Sequence, residues 1–77
     1  MPTIVRLSGT VRLCMYAGDH GPPHFHVLTG DGNAFMVRLD TLQVLAGRVD
    51  PKALALATRW ADRNPALLAE RWSDLNG

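Results

Sequence analysis

Apolar and polar residues alternate with a period of two through the first half of the chain. A period of two places alternate side chains on opposite faces of a strand. Residues 3–7 (TIVRL) are short, β-branched and alternating, and Ser8-Gly9 follows as a turn signal. Residues 10–16 (TVRLCMY) put Val11, Leu13 and Met15 on one face and Arg12, Cys14 and Tyr16 on the other. Residues 24–29 (HFHVLT) separate Phe25 and Val27 from His24, His26 and Leu28. After the turn Gly30-Asp31-Gly32-Asn33, residues 34–39 (AFMVRL) alternate again, with Phe35, Val37 and Leu39 together. A last short strand is expected near residues 43–48 (QVLAGR), where Gly47 marks a bulge or a close approach.

At residue 50 the period becomes helical. Asp50-Pro51 reads as an N-cap followed by proline at the first helical position. Ala53, Leu56, Ala57 and Trp60 recur at i, i+3, i+4 and i+7, which is one helical face. Asn64-Pro65 repeats the cap-plus-proline signal and ends the first helix by Arg63 or Asn64, because the residue before a proline avoids the α region. Leu68, Trp72 and Leu75 give the second helix its apolar seam.

The order β-β-β-β-β-α-α predicts a single α+β domain over residues 1–77. A small antiparallel sheet of about four to five strands (residues 1–49) precedes a C-terminal helical hairpin (residues 50–77) packed on one face. The other face carries Arg12, Tyr16, His24 and His26. Left open, it is a large surface for a small protein, which predicts a homodimer.

Size and composition narrow the picture. A chain of 77 residues buries only about 60% of its unfolded surface, and its lone cysteine, Cys14, forms no internal disulfide. A bound metal or self-association are the remaining sources of stability. With 47% hydrophobic and 19% charged residues the chain is globular rather than disordered. Its net charge of +1 is not the broad basic field of a general nucleic-acid binder. The start, MPTIVRLSG, does not read as a signal peptide, and no apolar run is long enough to span a membrane, so a cytoplasmic location is expected.

The candidate chemistry sits in DHGPPHFHV, residues 19–27, which holds all three histidines. His24 and His26 leave the same strand face with Cα atoms roughly 6.5–7 Å apart. The prolines push Gly21 and Pro22 towards extended conformations, and the stiff connector limits where His20 can lie. His20, His24 and His26, with Asp19 as a further ligand or an orienting carboxylate, form a candidate site for a divalent transition metal such as zinc or nickel. Two other readings stand beside it. In one, Asp19 and His20 serve a turn and His24 and His26 are ordinary polar residues of a wet sheet face. In the other, His24 and His26 act as acid and base, Arg12 holds a phosphate and Tyr16 stacks on a base or donates a proton, as in a metal-independent ribonuclease.

Other features point away from chemistry. A DNA-reading second helix would use Arg71, but Glu70 and Asp74 share its polar surface, so DNA binding is not expected. Trp60 and Trp72 read as large core residues, and Cys14 as a buried small apolar group rather than a nucleophile.

MPTIVRLSG, then RLCMYAGDHGPPHFHV, then a short strand pair, a tryptophan-bearing helix with Asn64, and a closing Leu68-x-x-x-Trp72 resemble a family of short bacterial proteins. That family is catalogued as domain of unknown function four-one-six-zero. The resemblance covers essentially the whole chain, and Asp19, His20, Pro22, Pro23, His24, Phe25 and His26 carry its most specific part. It implies a small cytoplasmic protein, often encoded beside a second small protein in a toxin–antitoxin-like pair, and it transfers no catalytic role. The expectation is a binding or regulatory protein whose histidines present a metal or receive an anionic group of a partner. RNA is a candidate partner, and the enzyme alternative is RNA cleavage by the same residues.

Overall fold

The computed structural model of the chain describes residues 3–18 and 21–76. Five strands follow one another as β1 (Thr3–Arg6), β2 (Arg12–Cys14), β3 (His24–Leu28), β4 (Ala34–Arg38) and β5 (Val44–Gly47). They form one antiparallel sheet in sequence order, so every neighbour is a hairpin partner. Two helices complete the domain, α1 (Pro51–Arg63) and α2 (Pro65–Asn76). All five expected strands and both helices are present. The strands are shorter than the alternating runs, because Leu7, Thr10, Met15 and Tyr16 lie outside the ladder.

Alternation assigns the core. Val11, Leu13, Met15, Phe25, Val27, Phe35 and Val37 are buried in one cluster with Ala53, Ala57 and Ala61 of α1 and Leu68 of α2. The stripe on α1 recurs every four residues and consists of alanines, small enough for the helix backbone to lie close on the sheet. This corrects the expected helical face. Ala61 belongs to it, whereas Leu56 is 38% exposed and Trp60 is half-buried. On α2 only Leu68 is buried; Trp72 is half-buried and Leu75 is 39% exposed. The seam is therefore rotated towards the alanines, and the larger apolar side chains lie at its margins.

The helix ends follow local chemistry. The Asp50 carboxylate accepts the Lys52 N–H at 3.0 Å, and Pro51 opens α1. Asn64 serves both helices. Its side-chain amide donates to the Trp60 carbonyl at 2.9 Å, satisfying the end of α1, and its own carbonyl accepts the Leu68 N–H at 3.1 Å. The side chain thus caps the first helix behind it rather than the second ahead.

Two backbone features shape the sheet. Gly47 has φ +100, and a Cβ there would lie 2.5 Å from the Ala34 carbonyl oxygen and 2.6 Å from the Phe35 Cα. Only glycine fits so close to β4, where the β4–β5 register shifts between Met36 and Val37. Gly21 corrects an expectation. It takes φ +87 rather than an extended conformation, since glycine satisfies the restriction before Pro22 from the left-handed side, with no Cβ to clash.

Candidate functional site

The face opposite the core is set by the other parity of the same strands. His26 lies between Cys14 on β2 and Met36 on β4, and His24 pairs with Arg38. His24 opens β3 directly after Pro22-Pro23, and its ring Nδ1 lies 2.9 Å from the Pro22 carbonyl oxygen. A carbonyl only accepts, so Nδ1 is the nitrogen that carries the hydrogen, and in the neutral ring the lone pair is on Nε2. The diproline corner therefore fixes the orientation and the tautomer of this imidazole.

Four rings then form a continuous line. The His24 and His26 ring centres are 5.2 Å apart with planes inclined at 59°. Tyr16 meets His26 edge-on at 4.7 Å, and Trp72 lies 5.2 Å from His24 at 53°. His24 is only 6% exposed, His26 is half-buried and Tyr16 is at the surface. Within the single chain the face is thus closed at its Trp72 end and accessible at its Tyr16 end.

Trp72 reaches this line from α2, whose last turn is tied to the segment after β2. The Asn76 side chain accepts the Gly18 N–H at 2.9 Å and donates to the Tyr16 and Trp72 carbonyls, both at 3.4 Å. One amide therefore ties the last turn of α2 to the segment following β2. Trp72, expected in the core, packs at the core's edge and also abuts His24. Sequence reasoning missed this role. A tryptophan at helical spacing carries no mark of which ring it will meet, and the tether depends on Asn76 at the far end of the chain.

The remaining candidates separate. Arg12 shares the sheet face but pairs with Leu28 and Arg6, one strand row away from His26, and its Nη1 donates to the Thr3 hydroxyl at 3.4 Å. Cys14 is buried with its Sγ 3.7 Å from the Thr3 Oγ1, as expected of a small apolar group. Asp19 and His20 lie outside the described residues. Among the described residues no group of three His, Cys, Asp or Glu side chains stands in a metal-binding arrangement. The metal-ligand candidates placed together are His24 and His26. Beyond Trp72, an apolar hollow of about 320 Å³ lies between Pro23, Leu39 and Pro65, with Asp40 on its lining. The Asp40 carboxyl is held below its ordinary pKa by the hydrogen bond from Arg38, whose Nε lies 2.6 Å away.

Residues 11–73 match the model of a family described as "Domain of unknown function (DUF4160)". The chain belongs to this family. No curated protein and no solved structure matches it. In this DUF4160 chain the matched span contains Arg12, Tyr16, His24, His26 and Trp72, so the whole ring line lies within the family's region. No helix among the described residues is long and apolar enough to cross a membrane.

Proposed function

We propose that this DUF4160 protein is a small binding protein whose paired imidazoles, His24 and His26, take a divalent transition metal such as zinc or nickel. The observation that carries the reading is the ring spacing, together with the Pro22 hydrogen bond. Two imidazoles on one tetrahedral zinc, with Zn–N bonds of 2.0–2.1 Å, hold their ring centres roughly 5 Å apart. The separation here is 5.2 Å. A backbone carbonyl on the Nδ1 hydrogen is the usual device that orients a metal-binding histidine and raises the basicity of its other nitrogen. Two side chains do not fill a coordination sphere. His20 and Asp19, which directly precede Gly21 in sequence, or a group from a partner would complete it. A homodimer, or a complex with the second small protein of a toxin–antitoxin-like pair, would bring that group to the Tyr16 end of the line, which is accessible.

The test is titration of metal-free protein with zinc chloride and nickel chloride by calorimetry, with H24A/H26A and H20A variants. The expected result is saturable binding, lost in the double variant and weakened in H20A. Equal heats from wild type and H24A/H26A would reject the reading. Metal-independent RNA cleavage is the second reading, favoured by Arg12 standing on the same face as His26. RNA left equally intact by wild type and H24A/H26A in the presence of chelator would remove it.

A further inference from the structure

At the opposite end of the sheet from Trp72, two arginines face each other. Arg6 on β1 is the cross-strand partner of Arg12 on β2. Like charges directly opposite on neighbouring strands repel, and a sheet gains stability when such a pair is replaced or neutralised. Arg38 shows how the fold treats an arginine with a structural task, placing Asp40 against it. Among the described residues neither Arg6 nor Arg12 has an acidic partner. Arg12 is instead held by the Thr3 hydroxyl, and Arg6 is exposed.

Arg6 and Arg12 both line one concavity of about 400 Å³. Its walls are the β1–β2 and β3–β4 turns, and Leu28 gives it a small apolar patch. The turns are locked against each other. A Cβ on Gly30 would lie 2.7 Å from the Thr10 Cβ, so glycine at 30 lets the two turns touch. The nearest carboxylate in the β3–β4 turn, Asp31, accepts from the Thr29 hydroxyl and from the Asn33 N–H and side-chain amide, and is committed to the turn itself. Among the described residues no acid is committed to either guanidinium, so the hollow offers two positive charges that an anion can share. Guanidinium forks match the oxygens of a phosphate, and two of them together provide the charge a phosphate monoester carries.

We infer that Arg6 and Arg12 form a phosphate-binding site, and that its ligand is a small molecule bearing a phosphate monoester. A single concave site on a chain of net charge +1 suits one phosphate better than a polyanionic strand. The inference does not depend on metal binding at His24 and His26.

The test is an NMR titration of the full chain with inorganic phosphate, a nucleoside 5′-monophosphate, the nucleoside without phosphate, and a short single-stranded oligonucleotide. Phosphate and the nucleotide should give saturable shifts at the amides of Arg6, Thr10, Arg12 and Gly30, and the nucleoside none. Affinity should fall about tenfold or more in R6Q and further in R6Q/R12Q, while R38Q binds as wild type. Because Arg6 is exposed, R6Q should fold; in phosphate-free buffer it should melt about 2 °C higher than wild type as the repulsion is relieved. Absence of shifts at those amides, or R6Q binding as tightly as wild type, would overturn the site. An oligonucleotide binding more than about tenfold tighter than the mononucleotide through the same arginines would overturn the small-molecule assignment.

Discussion

On β3, Phe25 and Val27 are fully buried against the alanines of α1, while their neighbours His24 and His26 meet other rings on the reverse side. The two sets come from one five-residue strand. On the Phe25 side each residue is chosen by volume, and a dense stripe of alanines sets the space that remains. On the His24 side burial is nearly as deep at His24 and Cys14, yet the residues are polar or chemically reactive. The proposed metal site would account for the polar choice on this face.

Substitutions can break that contrast, beginning with the core. Phe25→Ala should cost about 3–5 kcal/mol, enough to leave a 77-residue domain largely unfolded; circular dichroism melts read this directly. Ala57→Leu, which adds bulk where α1 meets the sheet at 0% exposure, should cost about 1–3 kcal/mol by chemical denaturation. On the reverse face the same measurements should respond weakly. His26→Val keeps a strand-compatible shape and should change stability by less than about 1 kcal/mol while abolishing zinc binding. A loss as large as that of Phe25→Ala would make His26 a structural residue and dissolve the contrast.

The smallest effect belongs to the β3–β4 turn. Hydrogen bonds from the Thr29 hydroxyl and then from Asn33 hold the Asp31 carboxyl below its ordinary pKa. A carboxylate whose folded pKa is depressed stabilises the fold above its unfolded pKa, and that contribution is lost as pH falls through the folded value. Asp31→Asn should therefore flatten the acid side of the stability profile slightly and leave neutral-pH binding of zinc unchanged. A neutral-pH change in zinc affinity would connect the turn to the histidine site.

The sheet was legible because each strand carries its own period of two and each hairpin its own turn residues; nothing distant decides Phe25 against His24. The first helix was legible in extent but not in phase. Leu56 outweighs Ala61 by hydrophobicity, yet close approach to the sheet favours the smaller side chain, and size rather than apolarity chose the buried stripe. The pairing of His24 with His26 was likewise local, two positions on one strand. Trp72 beside His24 was not, since it depends on the direction in which α2 leaves Asn64 and on the Asn76 tether to Gly18 and Tyr16. The facing of Arg6 and Arg12 was hidden because it depends on the geometry of the β1–β2 turn, which the alternation within either run does not give.

Zinc binding as proposed requires that His24 and His26 act as one pair, with His24 oriented by Pro22. Long-range nitrogen–proton spectra of the two imidazoles, recorded while zinc is added to metal-free protein, test it most directly. The expected result is a His24 ring protonated at Nδ1 before zinc, with its Nε2 and one His26 nitrogen shifting together and saturating at the same zinc concentration. A His24 ring protonated at Nε2, or two imidazoles that respond to zinc independently or not at all, would contradict it.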